Sequence, residues 1–151
     1  VYTKAQIQVA IETSTLEKMS SSREGCERNT LNGIPMEAMF VDVIKDREED
    51  SNTNYKDFAQ SAVKFHWETQ NSVRQESPTG QSYIKGSREM LLFVRKQKNA
   101  AENKYRTLGY VYLGKVTLDK YAGNKPMQIV WNLKTPMPGS VYEYAATLAN
   151  V

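Results

Sequence analysis

Residues 65–71 gather the side chains of this sequence that are best suited to chemistry. Two aromatic rings, an imidazole, a carboxylate and two amides occur within these seven positions. Alternation along a strand puts the two rings on one face and the imidazole and the carboxylate on the other. The amides of Gln70 and Asn71 each carry a donor beside an acceptor, which suits the edge of a nucleobase. The pattern predicts a binding site at a strand end; the alternative is a strand end capped by hydrogen-bonding side chains.

An enzymatic interpretation of the same stretch would rely on His66, the only histidine of the chain. It would act as a general base, oriented by Glu68 or Asp57. No activated nucleophile accompanies it, and the single Cys26 excludes an internal disulfide and a multi-cysteine zinc site. We therefore expect a domain that is not itself an enzyme, with no metal site and no cofactor of its own.

Two weaker segments flank this stretch. Tyr55 and Asp57 lie upstream, and residues 76–84 lie downstream and include Gly80, where a backbone can approach a ligand closely. The Gly-x-x-x-x-Gly-Lys-Ser/Thr pattern of a phosphate-binding loop is absent. These segments favour a binding site, but they do not indicate which ligand it would bind.

The charge is distributed unevenly along the chain. Residues 1–62 hold 7 Lys/Arg against 11 Asp/Glu, a net charge of −4, whereas residues 63–151 hold 13 against 6, a net charge of +7. Clustered cations attract polyanions and gain affinity by releasing counterions. The second part is thus the better candidate for facing phosphates, although one face of a mixed fold can also simply be more basic.

Hydrophobic periodicity and turn signals predict the elements that must position these residues. Thr3 is a good N-cap for a short amphipathic helix that ends near Ser14, and residues 20–33 are polar and turn-rich. Pro78-Thr79-Gly80 indicates a turn. The predicted strands and the closing helix lie at 36–44, 58–68, 90–94, 110–118, 127–133 and 142–148.

This order of elements indicates an α+β fold. Strands at 110–118 and 127–133 are separated by a Gly- and Pro-containing turn and predict a hairpin. No βαβ alternation and no internal repeat occurs, so we expect a mainly antiparallel sheet curled into a β-barrel with flanking helices. Residues 1–151 are long enough to form a single domain.

Several segments that follow one another in the chain carry a resemblance to a known family. They are FHWETQN at 65–71, ESPTGQSYI at 76–84, LLFVR at 91–95, YLG at 112–114, PMQIVW at 126–131 and PMP at 136–138. Together they resemble the C-terminal domain of bacterial superfamily 2 helicases fused to phospholipase-D-type nucleases, the SauUSI-type modification-dependent restriction endonucleases. The similarity covers most of residues 55–138, whereas residues 12–32 match no part of it.

The resemblance implies a target-recognition domain that reads cytosine carrying a 5-methyl or 5-hydroxymethyl group in duplex DNA, with a fold similar to the PUA and SRA barrels. Trp67 or Tyr83 would stack on the base, the two amides would contact its edge, and Asp57 or Glu68 would accept from the exocyclic amine. The implied base-recognition residues are Tyr55, Asp57, His66, Trp67, Glu68, Gln70, Asn71 and Tyr83.

The remaining expectations concern the DNA backbone and the partners. The residues expected at the backbone are Arg74, Thr79, Gly80, Lys85, Arg88 and Lys96. The resemblance implies helicase and nuclease domains in the same polypeptide, which use ATP and Mg²⁺, and a possible homodimer through that parent. We expect no membrane partner and a cytoplasmic location, in keeping with the single cysteine. The alternative function is a protein-docking or structural domain of a helicase, without a base pocket.

Overall fold

The computed structural model describes residues 1–11, 25–44, 57–100, 102–103 and 107–147. Within them lie three helices, α1 (Lys4–Ala10), α2 (Pro78–Lys85) and α3 (Gly139–Thr147). The strands are β1 (Cys26–Leu31), β2 (Ile34–Asp42), β3 (Phe58–Ser61), β4 (Lys64–Glu68), β5 (Glu89–Arg95), β6 (Val111–Ala122) and β7 (Gln128–Leu133).

All seven strands belong to one sheet with the order β1-β2-β5-β6-β7-β4-β3. Neighbouring strands are antiparallel except β2 and β5, which are parallel. The prediction of a mixed α+β fold with a mainly antiparallel sheet is confirmed. The predicted barrel is not, because the sheet is not closed: among the described residues β1 and β3 each pair along one side only. A barrel needs its two end strands to pair with each other.

Both faces of the sheet are covered near its centre. The larger core cluster lies on one face and includes Met39, Leu92 and Trp131 together with residues of α2 and α3. A smaller cluster around Phe40 and Phe93 lies on the other face, under α1. Successive residues of β5 point to opposite faces and are buried on both, which explains the continuous apolar run of this central strand.

The predicted first helix and the last hairpin are confirmed. Thr3 caps α1 through a capping box, because its hydroxyl accepts from the Gln6 N–H at 3.1 Å and the Gln6 side chain accepts from the Thr3 N–H at 2.9 Å. The strands β6 and β7 form the expected antiparallel pair. The helix α1 ends at Ala10 with Ile11 as its C-cap, four residues before Ser14, where it was expected to end.

Three local predictions are wrong. The polar, turn-rich stretch contains β1, an edge strand whose half-exposed side chains look like a loop in sequence. The single strand expected over 58–68 is a hairpin, β3 and β4, with a turn at Ala62 and Val63. The turn expected at Pro78 is the start of α2, because Ser77 caps the helix and proline fits its first position.

No helix among the described residues combines the length and the apolar character that crossing a lipid bilayer requires.

Candidate functional site

A cavity of about 230 Å³ opens where β4 ends. Its apolar wall comes from Cys26 and Trp67, and its polar rim comes from Asp57, Glu68, Thr69, Gln70 and Asn71. Phe40 also lines it, although the Phe40 ring packs on the opposite face of the sheet. β1 and β2 stand five and four positions from β4 in the sheet order, yet their residues line the same cavity. The sheet therefore curls enough to bring its two ends together around this space, although it does not close.

Thr69 anchors the chain as it leaves β4. Its N–H donates to the Met127 carbonyl at 3.0 Å, and its hydroxyl accepts from the Met127 N–H at 2.9 Å. The next four residues form a turn, since the Val73 N–H donates to the Gln70 carbonyl at 3.0 Å. Val73 is buried, whereas Gln70 and Asn71 are exposed. The turn thus presents both amides at the rim of the cavity.

Asp57 places a carboxylate at the base of this rim. The residue is 6% exposed, and its Oδ1 accepts from the Glu68 N–H at 2.9 Å. This bond ties the start of β3 to the end of β4 and orients the carboxylate. A carboxylate accepts up to about four hydrogen bonds, so a bond to the backbone is compatible with a further donor.

A buried polar network lies behind the apolar wall. Glu37, 0% exposed, accepts from the Tyr83 hydroxyl and from Arg28 Nε, each at 2.6 Å. Burial raises the pKa of the adjacent Cys26 thiol well above its ordinary value, and the Glu37 carboxylate adds to this shift. The thiol therefore stays neutral and forms part of an apolar wall, unlike a reactive cysteine with a lowered pKa.

One aromatic ring lines the cavity, and two more lie behind it in the core. Trp67 meets Tyr83 edge-on at 5.6 Å between ring centroids and Trp131 at 6.1 Å, and Tyr83 meets Trp131 edge-on at 6.2 Å. Trp67 is 6% exposed and Tyr83 is 3% exposed. We call these three rings the aromatic partition. Trp67 faces the cavity as a wall, whereas Tyr83 lies in the core and does not line it.

Five of the eight predicted base-recognition residues line this one cavity, namely Asp57, Trp67, Glu68, Gln70 and Asn71. Tyr83 lies behind it, and Tyr55 lies outside the described residues. His66 is on the opposite face of β4 from Trp67 and stacks on Phe58 at 4.6 Å with an interplanar angle of 14°. The alternation predicted for this strand is thereby confirmed for His66 and Trp67, and it turns the imidazole away from the cavity. Glu68, the last residue of β4, lines the cavity rim although alternation predicted it on the His66 face.

The residues predicted at the DNA backbone are distributed along α2, its flanking segments and the far end of β5. Arg74 and Thr79 lie at the start of α2, and Lys85 and Arg88 lie at or beyond its end. Lys96 follows β5, a full strand length of seven residues away from Arg88. At about 3.3 Å per residue a strand of this length spans roughly 20 Å.

Gly80, also predicted at the backbone, has a structural reason to be glycine. It is buried, and an added Cβ would lie 2.0 Å from the Arg74 carbonyl oxygen. The close approach anticipated from the sequence is therefore made by the chain itself and not by a ligand.

Sequence reasoning missed Cys26 and Phe40 as cavity residues. Cys26 begins a strand that was predicted as a turn, and Phe40 belongs to a strand whose face could not be assigned from its loose alternation. Their approach to Trp67 depends on the curl of the sheet, for which we find no local sequence signal.

Among the described residues, no three His, Cys, Asp or Glu side chains come close enough together to hold a metal ion.

Comparison with known proteins identifies a family. A family model described as "Domain of unknown function (DUF3427)" matches residues 1–145. The chain belongs to this family. No curated protein and no solved structure matches the sequence or the fold of this DUF3427 domain. Because the match spans almost the whole chain, the cavity, the aromatic partition, α1, α2 and most of α3 lie within the DUF3427 domain.

Proposed function

We propose that this DUF3427 domain is a DNA-binding module that recognises cytosine carrying a 5-methyl or 5-hydroxymethyl group. In this proposal the domain performs no reaction of its own. It selects the target for helicase and nuclease domains in the same polypeptide, as in SauUSI-type restriction endonucleases, and ATP and Mg²⁺ are used there.

The observation that carries the proposal is the cavity at the end of β4. Its volume of about 230 Å³ is below that of pockets for drug-sized ligands, about 300–1,000 Å³, and suits one small planar group. An apolar wall faces a rim of carboxylates and amides, the combination that holds a base by its ring and reads it by its edge. A flat protein-docking surface does not need such a concave site.

The base would enter the cavity by leaving the duplex. Cytosine presents an exocyclic amine, for which Asp57 or Glu68 is the acceptor in this proposal. Gln70 and Asn71 read the remaining edge. The C5 substituent lies against the apolar wall, which includes the neutral thiol of Cys26.

The energies favour moderate discrimination by the domain alone. Extruding a base costs a few kcal/mol, and contact with an aromatic surface returns about 1–3 kcal/mol. A methyl group in an apolar pocket adds about 1–3 kcal/mol, roughly 10- to 200-fold. Stringent restriction would then require coupling to the motor or a second recognition event.

Titration against one short duplex, unmodified or carrying 5-methylcytosine, tests the proposal. We expect tighter binding of the methylated duplex, with an affinity that falls steeply as salt is raised because phosphate contacts release counterions. Equal affinity for both duplexes would show a general DNA clamp. No binding of either duplex at low salt would refute DNA recognition by this domain and favour a docking role.

Replacing the rim amides separates the cavity from general DNA contact. Asn71→Ala and Gln70→Ala should each weaken methylated-duplex binding by about 1–3 kcal/mol, the range of one base-edge contact. Gln60→Ala removes an exposed amide from β3, outside the cavity, and serves as the matched control. If Asn71→Ala and Gln70→Ala bind the methylated duplex as tightly as Gln60→Ala and the parent chain do, the cavity does not read the base.

A further inference from the structure

The turn between β6 and β7 is attached to the rim of the cavity. We call residues 70–75 the rim turn and residues 123–126 the β6–β7 turn. Gln75 joins them twice, because its N–H donates to Asn124 Oδ1 at 2.7 Å and its Nε2 donates to the Gly123 carbonyl at 3.0 Å. The two turns therefore form one unit, which we call the junction, and a ligand that extends past the rim turn meets the β6–β7 turn next.

Lys125 occupies an unusual backbone position in this unit. Its N–H donates to the Val73 carbonyl at 2.9 Å, which ties it to the rim turn, and its φ is 53°. This left-handed conformation is uncommon for side chains other than asparagine, aspartate or histidine, and glycine adopts it freely. Lys125 is exposed, so packing does not explain a lysine there. Backbone conformations of this kind are often kept for a function, and we infer that the Lys125 charge has one.

Arg74 places a second cation at the same junction. It follows Val73, the residue to which the Lys125 backbone is bonded, and its side chain is exposed. Among the residues that the structure describes, neither Arg74 nor Lys125 has an ion-pair partner. Both charges are therefore available to an anionic ligand that lies outside the cavity.

The cavity and the junction differ in charge. Asp57 and Glu68 place two carboxylates at the cavity, where they repel a phosphate and suit the exocyclic amine of a base. Glu76 is the only acidic residue of the sequence within 70–80 and 121–130, so Arg74 and Lys125 outnumber it at the junction. A DNA strand whose base enters the cavity is thus expected to keep its phosphates outside, on the junction side.

Strand register gives the distance between the cavity and the junction. Trp67 lies opposite Ile129, and Ile129 lies opposite Tyr121, so the three residues form one row across β4, β7 and β6. Two strand spacings of about 4.8 Å put Tyr121 roughly 10 Å from Trp67. The β6–β7 turn begins two residues after Tyr121. One DNA strand rises about 3.4 Å per nucleotide, so 10 Å corresponds to roughly three nucleotides.

We propose that the DNA strand that carries the target base crosses the rim turn, and that Arg74 and Lys125 contact its phosphates within roughly three nucleotides of that base. This assigns the β6–β7 turn to the DNA interface. The proposal rests on the proposed function in one respect, because it takes DNA as the ligand of the cavity. It does not depend on which base or which C5 substituent the cavity reads.

The salt dependence of duplex binding tests these contacts. The slope of log affinity against log salt falls in magnitude by about 0.9 for each phosphate contact that is lost. We expect Lys125→Gly and Arg74→Ala each to produce this change and to weaken unmodified and methylated duplexes by the same factor, about two- to fivefold. Lys125→Arg keeps the charge and should keep the slope of the parent chain.

Lys125→Gly also separates binding from folding. Glycine adopts a φ of 53° without a steric penalty, so this variant should fold as the parent chain does, which urea denaturation checks. Lys120→Ala is the matched control. Lys120 is exposed and lies opposite Val130, on the sheet face that points away from Tyr121 and Ile129. An equal change of slope in Lys120→Ala would show an effect of net charge alone and would overturn the proposal.

The two duplexes distinguish this proposal from the reading of the methyl group. Equal affinity for both duplexes, with a smaller slope in Lys125→Gly and Arg74→Ala, would refute methyl recognition and support the phosphate contacts. Tighter binding of the methylated duplex with an unchanged slope in both variants would support methyl recognition and overturn the phosphate contacts; the junction would then face a protein surface. No binding of either duplex by the parent chain would overturn both.

Discussion

Glu37 shows how single residues hold the candidate site in place. It lies on β2 with 0% of its surface exposed, and it joins β1 to α2 through Arg28 and Tyr83. Arg28 also lies 3.5 Å from the Thr79 hydroxyl at the start of α2. A charge this deeply buried persists because its hydrogen bonds are satisfied. The network sets the distance between the wall of the cavity and the helix behind it.

Removing this carboxylate should destabilise the fold. Glu37→Ala leaves the buried Tyr83 hydroxyl without its acceptor, which costs about 1–3 kcal/mol, while Arg28 is half-exposed and can turn to water. Urea denaturation measures the free energy of unfolding. Glu76→Ala, at an exposed carboxylate, is the control and should stay within about 0.5 kcal/mol of the parent.

A double-mutant cycle with Tyr83→Phe checks why Glu37→Ala lowers the free energy of unfolding. Tyr83→Phe removes the hydroxyl in advance, so Glu37→Ala should cost less in that background than alone, because contacting residues are not additive. Fully additive losses would contradict the network as the origin of the effect.

At the scale of elements, α2 supports the candidate site from behind, because Tyr83 of α2 packs edge-on against Trp67. Its N-terminus is fixed by Ser77, whose hydroxyl accepts from the Gly80 N–H at 3.1 Å and donates to the Arg74 carbonyl at 2.7 Å. Its C-terminus ends at Gly86, which has a φ of 64° and adopts the left-handed conformation that glycine tolerates. Between these caps, Gly80 lets the helix lie directly on the preceding loop.

Gly80→Ala should displace this helix. The new Cβ would lie 2.0 Å from the Arg74 carbonyl and 3.0 Å from Met127 Sδ, so the packing must shift. Overpacking of this kind costs typically about 1–3 kcal/mol. Gly139→Ala at the start of α3 is the matched control, because no heavy atom lies within 4 Å of its added Cβ.

Gly139→Ala should leave the free energy of unfolding unchanged or raise it by about 0.4–1 kcal/mol, because alanine reduces the conformational entropy of the unfolded chain. Equal stability of the two variants in urea denaturation would contradict the close contact between α2 and the loop before it.

At the scale of the whole molecule, several weak acids are buried in different elements. Burial raises the pKa of Tyr144 in α3 to about 12, and it also raises the pKa values of Tyr83, Tyr110 and Cys26. Each group holds its proton more tightly in the folded chain than in the unfolded chain. Alkaline pH therefore favours unfolding, since the unfolded chain releases these protons first.

Tyr144→Phe tests this pH dependence against Tyr142→Phe. The Tyr144 contribution is fully present below its unfolded pKa of 10.0 and is lost as the pH rises toward the folded value of about 12. Tyr144→Phe should therefore lose less stability between pH 9 and pH 11 than the parent chain. Tyr142, 38% exposed on the same helix, is the control and should match the parent.

Thermal unfolding followed at a series of pH values provides the measurement for this pair. If the melting temperatures of both variants fall equally as the pH rises from 9 to 11, the burial of Tyr144 does not cause the loss of stability at alkaline pH.

The sequence by itself determined the elements with strong local signals. The cap at Thr3, the apolar run of β5 and the β6–β7 hairpin follow from periodicity and turn chemistry, which act over a few residues. The alternation in β4 also placed Trp67 and His66 on opposite faces correctly. The motif at 65–71 marked the cavity rim because its polar side chains cluster within one strand end.

Only the tertiary structure decided what completes the site. Edge strand β1 has a polar pattern that does not separate it from a loop, and its approach to β4 depends on the summed twist and curl of five intervening pairings. The packing of Trp67 against Tyr83 and Trp131 likewise needs β4, α2 and β7 together, and no local pattern in the sequence predicts it. Such features depend on contacts between distant segments, whereas local propensity acts only between close neighbours in the chain.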